Sequence, residues 1–307
     1  MSEKIYIIGA GAIGKTLAVC LKHNNKDVII LRGSIDDGSI SKEKIGVVLP
    51  DRLELNAVIE INTLSNFSEL NGLVILSNKS FGNENLAKSL KNKAKRSPIV
   101  ILQNGLGVEK PFINNDFPEI YRCILFVSSQ NKSKNIISYK PIAISPIGTI
   151  KSTKTNLSTI VNQIDCLNFK FRAENNIQKI IWEKAIINCV FNSICPLLEI
   201  DNGVFHREVS ALNIAKRVIK ECTLISKAKG IELSESEIEK RLITISKVSD
   251  GQFISTLQDI RNKRETEIDT LNFEIARIAK KLNMENVIPE TKLLGELTLM
   301  KSKLQPI

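Results

Sequence analysis

Short apolar runs recur through the first half of the chain. Ile5 to Ile8, Val28 to Leu31, Leu73 to Leu76 and Ile99 to Leu102 are continuous rather than alternating, the pattern of strands covered on both faces. Ile13 to His23 and Glu84 to Ala94 lie between them with helix-forming composition. That rhythm predicts βαβ units and a parallel sheet. Lys44 to Val48 and Ala57 to Ile61 read as extra strands after the first unit, and Ile136 to Ile147 as a late hairpin region interrupted by Pro141 and Pro146.

From about Asn175 the pattern becomes helical, with few strand signals and with Pro196 and Pro289 as breaks. Ile268, Leu271, Ile275, Ile278, Ala279 and Leu282 recur at three- and four-residue steps, which predicts the buried stripe of one helix. The expected fold class is α/β: a Rossmann-like parallel-sheet domain over residues 1–173, then an all-helical domain over residues 174–307. There is no internal repeat and no linker rich in Gly, Pro or Ser, so the two are expected to pack closely around a cleft.

Composition narrows the function classes. Of 307 residues, 43% are hydrophobic and 25% charged, a globular balance. No apolar run is read as reaching the roughly 20 residues that cross a bilayer, and the apolar start leads into glycines instead of a cleavage site. A soluble, cytoplasmic chain with no membrane partner is expected. Cys20, Cys123, Cys166, Cys189, Cys195 and Cys222 form no CxxC pair, and only His23 and His206 could complete a metal site. Neither a zinc centre nor a disulfide framework is expected, and dispersed thiols suit a reducing compartment. The net charge of +10 favours anionic ligands. Scattered lysines and 5% aromatics argue against nucleic acid, which would show a steep salt dependence. A phosphorylated cofactor and a carboxylate substrate explain the charge equally well.

Gly9, Ala10, Gly11, Ala12, Ile13 and Gly14 spell GAGAIG between the first predicted strand and the first predicted helix. In that context the first glycine permits a tight turn, Gly11 lets backbone approach a pyrophosphate, and Gly14 lets the helix pack on the strand. Where the second strand ends, an acid would bind ribose hydroxyls and select NAD. Arg32 stands there instead, and a guanidinium can pair with a 2′-phosphate, so the cofactor is expected to be NADP(H). Asp36 and Asp37 lie close by.

Ile177 to Ile194 is apolar almost all round, interrupted by Lys184, Asn188 and Asn192 at four-residue spacing. A polar stripe on a buried helix needs partners, which suggests one wall of a ligand cleft. Taken alone, Lys184 or Lys79 would read as a solvated charge, Asn104 as a strand-end turn and Glu267 as one acid of a mixed surface run.

Further motifs follow in order: Lys79 after the third apolar run; Gln103-Asn104-Gly105-Leu106-Gly107 after the fourth; Trp182-Glu183-Lys184; and Leu257-Gln258-Asp259-Ile260-Arg261 before Thr266-Glu267-Ile268-Asp269. With these the chain resembles the ketopantoate reductase family over nearly its whole length. The resemblance implies NADPH-dependent reduction of 2-dehydropantoate to (R)-pantoate, with Lys184 as proton donor and Glu267 contacting substrate hydroxyls and helping to set the lysine's charge. It also implies that Asn188, Asn192 and Ser255 bind substrate, and that Asn104 and Lys79 lie near the nicotinamide and the substrate end of the cleft. Two departures stand out: Gln252 where the best-known members have asparagine, and Ser193-Ile194-Cys195-Pro196 after Asn192 instead of an immediate proline. Both bear on which acid is reduced. A reductase of another small branched or aromatic 2-oxo acid, and a non-catalytic NADP-binding sensor, are the competing readings. Monomer and homodimer are both open.

Overall fold

Successive residues of the central strands point to opposite faces of one sheet, and both faces are covered. In the structure, a computed structural model that describes residues 4–304, Ile5 and Ile7 of β1 (Lys4–Ile8) enter one apolar cluster while Tyr6 and Ile8 enter another. This double burial is why the runs read as continuous rather than alternating. The first cluster takes Leu17, Ala18 and Leu21 from α1 (Ala12–His23), which follows the glycine turn.

The chain continues through β2 (Val28–Leu31), β3 (Ser41–Val48), β4 (Glu54–Asn62), β5 (Gly72–Leu76), α2 (Asn83–Lys91), β6 (Ile99–Ile101), α3 (Lys110–Asn114) and β7 (Ile120–Cys123). Then come β8 (Val127–Ser133), β9 (Ile136–Pro141), β10 (Ser145–Lys151), α4 (Leu157–Ile164) and β11 (Phe171–Ala173). The strand order is β11-β10-β7-β6-β5-β1-β2-β4-β3-β9-β8. From β7 to β4 every neighbouring pair is parallel, as expected.

The flanks make the sheet mixed. β3 and β4 are antiparallel, as are β8 and β9, and β7 and β10. The links from β3 to β4 and from β8 to β9 are too short for a parallel crossover, which needs about a dozen residues. The hairpin expected over Ile136 to Ile147 does not form. β9 pairs with β8 and β3, whereas β10 pairs with β7 and β11 on the other side of the sheet.

The residues fall into two compact units: one runs up to Gln103 and includes Val108–Ile177, the other joins Asn104–Gly107 to the chain from Gln178 onward. The second unit is helical. Its elements are α5 (Ile177–Leu198, whose first residue belongs to the sheet unit), α6 (Val204–Arg207), α7 (Val209–Ala228), α8 (Glu235–Val248), α9 (Ser255–Arg261), α10 (Asn272–Lys281) and α11 (Pro289–Lys303).

Three readings of this half need correction. Pro196 does not end α5; it sits in the last turn, where only the hydrogen bond to the Asn192 carbonyl is forfeited, and the helix closes at Leu198. The stripe from Ile268 to Leu282 is not one helix, because Leu271 (φ −112°, ψ −103°) separates the 3-10 turn Glu267–Thr270 from α10. Ile268, Leu271, Ile275 and Ala279 are buried nonetheless, so the pattern marked the core rather than a continuous axis. Finally, α5 is long and apolar enough to cross a membrane by length and composition, with 78% of that stretch buried inside the protein. That environment is the one a core helix has. All six cysteines are buried with free thiols.

The N-terminus of α11 has no side-chain cap of its own. Glu221 supplies one from α7: Oε1 accepts from the Glu290 amide at 3.0 Å, and Oε2 from the Thr291 amide at 2.7 Å and its hydroxyl at 2.6 Å. Burial, with the Glu290 carboxyl beside it, pushes the Glu221 carboxyl up to about 7 from an ordinary 4.5. The native chain therefore binds more protons than the unfolded chain between these values, and stability falls as pH rises through that window. Urea unfolding of the wild type and of Glu221→Gln from pH 4.5 to 7.5 should show the wild type losing ground as pH rises. A constant difference across the range would contradict this assignment.

Candidate active site

β1 lies between β2 and β5, so the chain leaves it in one direction and later returns on the other side. Such a reversal opens a crevice beyond the carboxyl ends of the strands. The glycine turn follows β1, Arg32 follows β2 and Lys79 follows β5, which brings the three to one edge of the sheet.

Steric demands differ along the turn. Gly9 has φ +118°, and a Cβ there would lie 2.6 Å from the Asn78 nitrogen; at Gly14 it would lie 2.1 Å from the Gly9 carbonyl oxygen. At Gly11 it would meet nothing within 4 Å. α1 starts at this opening with no side-chain cap and no acid in its first turn. Its first amides are therefore available to an anion, and the residues present fit a dinucleotide pyrophosphate. Ser77 fixes the neighbouring loop, its hydroxyl donating to the carbonyls of Ile8 and Gly9 at 3.1 Å each.

Arg32 is half-buried and held by its own loop. Nη1 donates to the Ser39 carbonyl at 2.9 Å and to Ser39 Oγ at 3.1 Å, and Nη2 to Ser41 Oγ at 3.0 Å. Asp36 turns away to accept from the Ser65 amide at 2.7 Å. Lys79 is exposed at the start of the turn Ser80–Gly82. Behind it, the Gln103 and Asn83 amides bond each other reciprocally at 2.7 and 2.8 Å, and Gln103 also donates to Asn78 Oδ1 at 3.2 Å.

In the helical unit, Lys184 and Asn188 are half-buried on α5, flanked by buried Ala185, Ile186 and Ile187. Asn192, about 12 Å along the axis from Lys184, is buried, and its Oδ1 accepts from the Thr256 hydroxyl at 2.7 Å. That bond ties α5 to the first turn of α9, where Ser255 is exposed. The segments that carry Asn104 and Glu267 meet through Leu106 and Thr270. The Leu106 amide donates to the Thr270 carbonyl at 2.8 Å, which docks the segment Asn104–Gly107 on the turn that begins at Glu267. Gly105, at φ +97°, permits the approach, since a Cβ would lie 2.3 Å from Thr270 Oγ1. Within the mixed run, Asp269 is engaged by Arg277 at 2.9 and 3.0 Å, whereas Glu267 is half-buried. Glu183, next to Lys184, is buried and paired with Arg241.

The sequence profile of the family described as Ketopantoate reductase PanE/ApbA matches residues 5–150, and that of its C-terminal part matches residues 176–301. The chain belongs to the ketopantoate reductase family. It is 28% identical over 283 residues to a 2-dehydropantoate 2-reductase of Pyrococcus abyssi, covering 92% of this chain and 93% of that one. A Streptococcus pyogenes protein of the same name is 25% identical, covering 97% of each. Among solved structures, a ketopantoate reductase of this family from Ralstonia eutropha superposes with TM-score 0.84 at 19% identity, covering 98% of both chains. D-Mandelate dehydrogenase with NADH and anilino(oxo)acetate superposes with TM-score 0.83 at 20% identity, with the same coverage. These likenesses establish the fold, a Rossmann domain followed by a helical domain.

Against this family background, the two departures can be located. Ser193 is buried, its hydroxyl donating to the Cys189 carbonyl at 2.6 Å inside α5, and Cys195 is buried as well. The Gln252 backbone carbonyl accepts from the Asn202 amide at 2.8 Å while its side chain is exposed. Sequence reasoning passed over Ser39, Ser41, Ser77, Asn83 and Thr256. Each works through hydrogen bonds to groups distant in sequence or around a loop, and the one local signal was Thr256 directly after Ser255.

Two glycine substitutions separate folding from binding in this turn. Gly11→Ala, at extended backbone with open space, should leave the unfolding midpoint in urea unchanged and weaken dinucleotide binding. Gly14→Ala should destabilise the fold by about 1–3 kcal/mol through overpacking. Normal cofactor affinity in Gly11→Ala would remove the turn from the binding site.

Proposed function

We propose that this protein reduces 2-dehydropantoate to (R)-pantoate with NADPH, a cytoplasmic step toward coenzyme A. The observation that carries the reading is Lys184: a half-buried ammonium on a helix otherwise sunk in the core, one turn from Asn188, in a chain of this family. The 2-dehydropantoate 2-reductases that align with nearly the whole chain support the substrate. Arg32 at the end of β2, where NAD-selective proteins carry an acid, supports NADPH.

When bound, the reduced cofactor supplies a hydride to the keto carbon. Lys184 delivers a proton to the keto oxygen, so that the carbonyl becomes a secondary alcohol and no charge is left on oxygen. A positioned general acid of this kind contributes about 10²- to 10⁴-fold. Asn188, Asn192 and Ser255 hold the substrate by hydrogen bonds. Glu267 takes the substrate hydroxyl and helps to set the charge on Lys184, while Asn104 and Lys79 work near the nicotinamide. Gly9 to Gly14 and the first amides of α1 receive the pyrophosphate, and Arg32 receives the 2′-phosphate.

A second reading, reduction of another branched or aromatic 2-oxo acid, draws support from the likeness to D-mandelate dehydrogenase and from Gln252. A panel of 2-oxo acids with NADPH decides between them: the highest kcat/KM is expected for 2-dehydropantoate, and preference for an acid without the hydroxyl tail would install the second reading. Tight NADPH binding with no turnover on any acid would instead indicate a sensor. Lys184→Ala should lower kcat about 10²- to 10⁴-fold while NADPH affinity stays within about twofold; normal turnover would remove Lys184 from the chemistry. Arg32→Ala should weaken NADPH binding more than NADH binding, and equal losses would overturn the cofactor assignment.

A further inference from the structure

An acidic residue just beyond β2 ordinarily opposes a 2′-phosphate, and Asp37 stands five residues past Arg32. The geometry of the loop gives it the reverse task. A guanidinium has five N–H donors. Arg32 directs Nη1 to the carbonyl and hydroxyl of Ser39 and one proton of Nη2 to Ser41. Nε–H and the second proton on Nη2 take no partner among the described residues, which leaves two donors, the number used in a bidentate phosphate pair.

Ser39 can accept from Arg32 because its own proton is committed elsewhere. Its hydroxyl donates to Asp37 Oδ1 at 2.5 Å, and its amide donates to the same oxygen at 3.0 Å. The loop is anchored in turn: Asp36 accepts from the Ser65 amide at 2.7 Å, and Asn66 Nδ2 donates to the Gly38 carbonyl at 3.0 Å. The Ser39 hydrogen bonds and the nearby Arg32 charge hold the Asp37 carboxyl below its usual range, so it stays an acceptor at neutral pH.

Resting on the NADPH reading above, we propose that Asp37, acting through Ser39, is a positioning residue that aims the open edge of the Arg32 guanidinium at the 2′-phosphate and so sets the preference for NADPH over NADH. Asp37 need not touch the cofactor. What it contributes is orientation, together with Ser41 on the other terminal nitrogen.

The test is equilibrium binding of NADPH, NADH and 2′,5′-ADP to the full chain and its variants, followed by fluorescence or calorimetry. Asp37→Ala and Ser39→Ala should each weaken NADPH and 2′,5′-ADP by about three- to tenfold, with NADH within about twofold as the control that the fold is intact. The double variant should be no weaker than Ser39→Ala alone, because the two act in series. Asp37→Asn keeps the acceptor oxygen without the charge and should retain the preference. If Asp37→Ala binds NADPH as well as or better than the wild type, the carboxylate merely repels phosphate and this proposal is overturned. A wild-type chain that binds NADH as tightly as NADPH overturns the cofactor reading itself, a result separable from the first.

Discussion

A helix that leaves its first turn uncapped keeps its first amides open to an anion, and the glycine end of the sheet unit is built around that constraint. α1 begins with no side-chain acceptor and no acid, directly after a turn too tight for side chains at Gly9 and Gly14. Only glycine meets both demands, since one position needs a positive φ and the other abuts a carbonyl oxygen. Ser77 then clamps the loop after β5 onto the Ile8 and Gly9 carbonyls, so two adjacent strand ends act as one frame.

The helical unit answers a different problem. Polar side chains within a buried helix are unfavourable unless bonded, and α5 resolves this unevenly. Asn192 is satisfied by Thr256 and thereby pins α9, while Lys184 and Asn188 keep partial exposure. The same polar stripe thus ties two helices together at one end and stays partly exposed at the other. The docking of Asn104–Gly107 on Thr270 has a similar double character, joining a residue that follows β6 to the turn that begins at Glu267.

Much of this was legible in the residue order because it depends on short-range periodicity. Continuous apolar runs announced the parallel strands, GAGAIG the tight turn before α1, and Lys184, Asn188 and Asn192 a stripe on α5. What stayed hidden depends on contacts across the chain. Nothing in Ile136 to Ile147 tells which neighbours its two strands take, because β9 and β10 join opposite sides of the sheet. The spacing from Ile268 to Leu282 survives a break at Leu271 because burial, rather than helix continuity, maintains it. Ser39 and Ser41 carry no signal until the loop folds back on Arg32. Pro196 misled because a proline in a last turn forfeits one hydrogen bond only.

The six buried thiols have an implication of their own. A bulky alkylating reagent finds no cysteine on the folded surface, yet the six are distributed over both units, from Cys20 on α1 to Cys222 on α7. The rate at which each becomes labelled therefore reports how often its neighbourhood opens. The chain carries an internal clock for local breathing, with dials in the sheet and in the helices, and no engineered probe is needed to read it.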